Sequence, residues 1–145
     1  MKFRVESVNI AAEKGIAKHE VPEIVLRENF GIEGDAHAGA RLRQVSLLAG
    51  EAIDTMKAKG LTLSPGAFGE NIVTSGVDWS LAQVGEMIAI ADVELQITQI
   101  GKECHSHCAI YYAAGECIMP QQGIFAKVLR GGKINAQSSG GYHIR

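Results

Sequence analysis

Short apolar runs, some alternating with polar residues and some continuous, are broken every few positions by glycine along this chain. Residues 5–10 and 21–28 are rich in β-branched side chains and read as strands. Gly31-Ile32-Glu33-Gly34-Asp35 follows as a turn-rich loop. Residues 43–48 end in a continuous apolar stretch and predict another strand. At 50–59 the period changes: Ile53 and Met56 share one helical face and Gly60 can stop the helix. A loop at 64–69 precedes a short predicted strand at 70–74. Residues 85–90 and 93–100 predict a hairpin that turns at Ala91-Asp92. Residues 123–130 predict a helix, with Ile124, Phe125, Val128 and Leu129 on one side and Gly131-Gly132 ending it. The tail holds a Ser-Ser-Gly-Gly turn and a last strand at 142–144.

Many short strands with two or three short helices predict a mainly β fold (β-rich α+β), a closed or partly closed β-barrel with a few peripheral helices. Regular βαβ alternation is missing, which argues against a doubly wound sheet. At 145 residues, the expectation is one domain over 1–145, and 46% apolar residues suffice for a core of that size. Charged residues are 21% and the net charge is −2, without the basic surplus of an electrostatic nucleic-acid binder. No apolar run approaches membrane-spanning length, and the N-terminal alternation lacks a signal-peptide core. The expected location is cytoplasmic, where cysteines stay reduced and serve reactivity or metal binding more than disulfides.

That expectation gives weight to Gly101-Lys102-Glu103-Cys104-His105-Ser106-His107-Cys108, with Cys117 close behind. All three cysteines fall in this window, and two of the five histidines lie between the first pair. One reading is a zinc knuckle of Cys104, Cys108, Cys117 and His105 or His107, a weaker signal than paired C-x-x-C motifs. Another is a single reactive thiolate at Cys104, where the strand 93–100 emerges into a loop, with Lys102, His105 and His107 stabilising its charge. A thiol–disulfide sensor pairing Cys104 with Cys108 or Cys117 is a third. Plain buried cysteines are the bland alternative, and Cys108, followed by Ala109-Ile110, fits it best.

Two further constellations stand out. Gly34-Asp35-Ala36-His37 with Arg41, Arg43 and Gln44 has the makings of an anion site, in which backbone amides and guanidinium forks hold a phosphate; a solvated surface loop explains it as well. Pro65-Gly66-Ala67-Phe68-Gly69-Glu70-Asn71 allows close backbone approach to a ligand, or simply a turn plugged by Phe68. No Walker loop, dinucleotide fingerprint, H-E-x-x-H or G-x-S-x-G occurs.

Taken together, Gly34-Asp35-Ala36-His37, Arg43-Gln44-Val45-Ser46-Leu47-Leu48, Phe68-Gly69-Glu70-Asn71-Ile72, Gln99-Ile100-Gly101-Lys102-Glu103-Cys104-His105 and Gly123-Ile124-Phe125-Ala126-Lys127-Val128-Leu129 resemble, in order, the MOSC domain of molybdenum cofactor sulfurases and small stand-alone bacterial proteins. The resemblance implies a β-barrel with helices around it and a protein that handles molybdenum cofactor (molybdopterin). It implies that Cys104 is the key cysteine, carrying sulfur as a persulfide or ligating molybdenum. Arg43, Ser46, Glu70 and Asn71 match cleft-lining positions; with Gly69, Lys102 and His37 they form the expected cofactor-binding set. The pyridoxal-phosphate domain of the large sulfurases is absent, so sulfur would come from a separate desulfurase or another partner of molybdopterin biosynthesis. Nucleic-acid and membrane partners are not expected, whereas exposed strand edges or apolar barrel faces would suit a homodimer. A pterin- or nucleotide-binding module with incidental thiols is the remaining alternative.

Overall fold

The computed structural model describes residues 2–14, 16–39, 42–101 and 123–143. Eleven strands and one α-helix appear among them: β1 (Lys2–Ile10), β2 (His19–Val21), β3 (Glu23–Arg27), β4 (Gly31–Ile32), β5 (Val45–Ala49), α1 (Gly50–Lys57), β6 (Ile72–Ser75), β7 (Met87–Ile90), β8 (Val93–Ile100), β9 (Ile124–Arg130), β10 (Gly132–Asn135) and β11 (Ser139–His143). The sheet runs β11-β7-β8-β9-β5-β6-β1, and β11 pairs back onto β1, so seven strands close a barrel and leave no free edge in the ring. β2 extends β1 beyond that seam, and β10-β3-β4 forms a second small sheet.

The barrel's connectivity explains its helix. β5 and β6 are parallel, with Leu47 opposite Ile72 and Ala49 opposite Thr74. A parallel pair cannot be joined by a tight turn and needs a crossover. α1 supplies it, burying Ala52, Ile53 and Met56 against β5 and β6, on the face the sequence predicts. Every residue of β5 is buried, as expected for a strand covered on both faces.

The hairpin of β7 and β8 turns at Ala91-Asp92 as predicted, with Ala91 in the left-handed region at φ 51°. Three local expectations change. Residues 123–130 form strand β9, not a helix: it pairs with β8 on one side and β5 on the other. A short, mostly apolar segment such as Ile124–Arg130 fits both periods, and here two neighbouring strands, not local propensity, decide. Gly131-Gly132 therefore marks the β9–β10 turn instead of a helix stop, because a side chain at Gly131 would overlap the Leu26 carbonyl. In the tail, the turn lies three residues earlier than read, at 135–138: Ser138 donates its amide to the Asn135 carbonyl at 3.0 Å, and Ser139-Gly140-Gly141 already belong to β11. Pro22 splits the predicted 21–28 strand, sending β2 to the barrel and β3 to the small sheet.

The β1–β11 seam is packed by aromatics. Trp79 stacks on Tyr142 with centroids 5.2 Å apart and meets Phe3 edge-on at 5.5 Å. Its indole N–H donates to Thr74 Oγ1 at 3.0 Å. Gly140 lets this happen: a Cβ there would overlap the Phe3 ring and stand 2.9 Å from the Ala89 carbonyl. Gly140→Ala is expected to cost about 1–3 kcal/mol, the usual effect of overpacking. Urea denaturation followed by the fluorescence of Trp79, the chain's one tryptophan, reads this directly; an unchanged midpoint would mean that the seam has slack.

Candidate functional site

Where β5, β6 and β1 come together, side chains take over from the regular ladder. Asn71 Oδ1 accepts from the Ser46 amide at 3.0 Å and lies 3.2 Å from the Ser46 hydroxyl, while Asn71 Nδ2 donates to the Asn9 carbonyl at 3.1 Å. The Asn71 amide is also within reach of Ser46 Oγ, at 3.1 Å. One asparagine thus ties β5 to β1 just before β6 begins. Asn9 is wholly buried beside it; its Nδ2 lies 3.3 Å from Ser7 Oγ, and its Oδ1 has no hydrogen-bond partner among the described residues.

Glu70, also without exposure, turns its carboxylate back onto the preceding turn. Oε2 accepts from the Gly66 amide and Oε1 from the Phe68 amide, both at 3.0 Å. Burial pushes the Glu70 carboxyl up; these amides and the charge of Lys18 oppose the shift without cancelling it. Gly66, at φ 90°, can only be glycine here, since a side chain would overlap the Lys18 backbone. Its carbonyl in turn accepts from the Lys18 amide at 3.0 Å. Phe68 packs partly buried on the core, the plug its turn predicts.

Lys18 belongs to the next layer. Its Nζ lies 2.6 Å from Asp35 Oδ1 and 2.9 Å from His37 Nδ1. Both charged partners are sealed, with side-chain exposures of 1% for Lys18 and 0% for Asp35. Asp35 also accepts from the Ala11 and His37 amides, at 3.2 and 3.1 Å. Burial alone would raise the Asp35 carboxyl; contacts from His37 and Lys18, the ammonium charge and the Ala11 amide overturn that and hold it well below the usual carboxylate range. The Gly34-Asp35-Ala36-His37 segment is therefore not simply a solvated loop: its carboxylate is an internal anchor, while the His37 side chain remains partly exposed.

Arg43 is exposed, with its guanidinium 5.8 Å from the centroid of the Phe125 ring. Its neighbour Gln44 is buried and accepts from the Val128 amide at 3.0 Å. Gly31, at φ 118°, brings the Arg43 and His37 segments together: a Cβ there would lie 2.9 Å from the Gln44 carbonyl oxygen and 3.4 Å from Ala38 Cα. Phe125 faces Ser46 across β5 and β9, and two residues before it the Gly101 amide donates to the Gly123 carbonyl at 2.7 Å. That bond closes the neck from which residues 102–122 depart. Cys104, Lys102, and the zinc and disulfide readings built on Cys108, Cys117, His105 and His107 all lie outside the described residues. Among the described residues, no group of three metal-ligating side chains is found.

The predicted set is thus divided by position. Ser46, Gly69, Glu70 and Asn71 gather at one node, with Ser46 Oγ 3.2 Å from the Gly69 carbonyl; the polar side chains among them bond within the protein. Arg43 and His37 stay accessible nearby. Lys18 and Asn9 escape sequence reading, because nothing local marks a lysine whose partners lie 17 and 19 residues away.

The profile of the MOSC domain family matches residues 34–139, most of the chain, and the chain belongs to that family. Molybdenum cofactor sulfurase-like function is linked to the family. In three dimensions the chain is similar to the YuaD protein from Bacillus subtilis, at a TM-score of 0.79 and 18% identity over 97% of this chain and 94% of that one. YiiM from Geobacillus stearothermophilus gives 0.71 and 18% over 99% and 76%, and YiiM from Escherichia coli 0.65 and 22% over 100% and 71%. At these identities the likeness is one of fold. No curated protein matches.

Asp35 has a pH signature. Its folded pKa is below the ordinary 3.8, so its contribution is complete above that value and is lost as pH falls toward the folded pKa. Asp35→Asn should cost about 3–5 kcal/mol at neutral pH by leaving Lys18 buried without its counter-ion. The variant should also show a flatter loss of stability below about pH 4. Urea titrations at several pH values measure both; parallel acid profiles would contradict this.

Proposed function

We propose that this chain binds molybdenum cofactor and that Cys104 is its working thiolate, either ligating molybdenum or holding a sulfur atom. The observation that carries the reading is the Gly101–Gly123 neck: it roots the cysteine-bearing segment two residues from Phe125, on which Arg43 lies and which faces Ser46. Family membership supplies the cofactor class. The accessible groups suit such a ligand. Arg43 offers a guanidinium fork for a phosphate, and His37 an imidazole edge. Gly69, at φ 82°, has nothing within 4 Å of where a Cβ would stand, leaving its backbone open to approach. Lys102 would add a second cation beside the thiolate.

Bound cofactor would supply molybdenum, a soft-ligand centre that a thiolate suits. For sulfur carriage, the Cys104 thiolate attacks the outer sulfur of a desulfurase persulfide. The donor's S–S bond breaks, the donor leaves as a thiolate, and Cys104 holds the persulfide with no net redox change. The supplier would be a separate desulfurase or molybdopterin-biosynthesis protein, and the reducing cytoplasm the compartment that keeps the thiol free. No described helix is long and apolar enough to cross a membrane. We further propose a homodimer through exposed strand edges or apolar barrel faces.

The test is purification from a host that makes molybdenum cofactor, with molybdenum, zinc and pterin measured on one sample. Wild-type protein should carry molybdenum and pterin, and Arg43→Ala should weaken retention about 10–100-fold, the worth of one charged hydrogen bond. Cys104→Ser should lose molybdenum or fail to take up labelled sulfur. A Cys104→Ser protein that keeps both properties sinks the assignment, and stoichiometric zinc lost together with folding favours a structural zinc knuckle instead.

A further inference from the structure

Lys18 lies under the accessible edge of the site, and nothing above gives it more than a structural part. Its contacts specify more than stability. An ammonium has donors only, whereas a neutral imidazole has one donating and one accepting nitrogen. With Lys18 Nζ at 2.9 Å, His37 Nδ1 must be the acceptor. Asp35 is the weaker competitor for Nδ1: its Oδ2 stands 3.7 Å away, close enough for charge attraction but longer than a hydrogen bond, and already takes the His37 amide at 3.1 Å, whereas Lys18 Nζ is at 2.9 Å. The ring proton therefore resides on Nε2. The Nδ1 edge faces a sealed ammonium, so the exposure of the His37 side chain, 37%, is left to the rest of the ring, which carries Nε2.

We propose that Lys18 is a positioning residue that locks His37 in its Nε2–H tautomer, so that the site presents one fixed, outward donor to an anionic oxygen of its ligand. The tautomer lock follows from the Lys18–His37–Asp35 geometry alone; the ligand-facing role rests on the cofactor-binding reading above. The lock is itself held from below. Glu70 fixes the Gly66 amide, and Gly66 fixes the Lys18 backbone, so the buried carboxylate acts on the exposed imidazole through two intermediates. Arg43 then contributes charge and His37 direction, a division of labour that suits a phosphate oxygen.

Long-range 1H–15N spectra of the full chain, labelled at histidine nitrogens, test the lock, with the His37 signals assigned by their loss in His37→Gln. Wild-type protein should show a single Nε2–H tautomer for His37 at neutral pH. Lys18→Met alone strands the Asp35 charge, so the working variant is Lys18→Met with Asp35→Asn, which removes both charges together. In it the His37 nitrogens should shift toward a tautomer mixture while the barrel's amide spectrum is kept. Inorganic phosphate is the ligand probe: it should shift the wild-type Nε2–H signal saturably and bind about fivefold more weakly to the double variant, the worth of one neutral hydrogen bond. An Nδ1–H tautomer in wild type, or a tautomer unchanged in the double variant, overturns the lock. An intact lock that ignores phosphate overturns the ligand-facing role of His37, and the two failures are distinguishable because the tautomer is read before any ligand is added.

Discussion

Two adjacent side chains, Glu70 and Asn71, set the geometry on which the candidate site depends. They stand where the single parallel pair of the described barrel begins, a point at which the ladder alone leaves backbone groups to be satisfied. Asn71 bridges β5 and β1 with its amide, and Glu70 gathers two amides of the turn before it. Neither can be replaced by water, since both are buried without exposure, and a buried polar group that loses its partner costs the full desolvation penalty. The same two residues define the position of Lys18 through Gly66, and hence of Asp35 and His37. Fold and site share one network.

That sharing explains which parts of the molecule were legible in the sequence. The barrel was, because alternation, glycine spacing and the period change at 50–59 each report local geometry. The helix expected at 123–130 was misread since β9 is buried along most of its length, and its partners, β8 and β5, lie far off in sequence. The motif residues were legible as a group. Their individual orientations were not: a Glu-Asn pair at a strand start looks the same whether it faces a ligand or its own turn. Lys18 was invisible for a related reason. A lysine is ordinarily solvated, and it is contact with Asp35, His37 and Gly66, all distant in sequence, that holds this one inside.

Charge in the site is layered accordingly. The inner layer, Lys18 with Asp35 and the carboxyl of Glu70 that burial pushes up, is sealed. The outer layer, Arg43 and His37, is accessible and carries donors but no acceptor carboxylate. An anion approaching from solvent meets donors first, with the acidic groups already engaged behind them. Local arrangement, not the net charge of −2, would set what binds.

The neck between Gly101 and Gly123 bears on how such a protein can diversify. One backbone bond fixes both ends of the intervening stretch at adjacent rungs of β8 and β9, so the barrel itself sets where the chain leaves and returns. Closing a longer excursion costs little, about 0.6 kcal/mol for each doubling of its length. At the neck itself, closure entropy sets little limit on how many residues the stretch between Gly101 and Gly123 holds. The length of that stretch can therefore change at small closure cost while the β8–β9 pairing beneath it is kept.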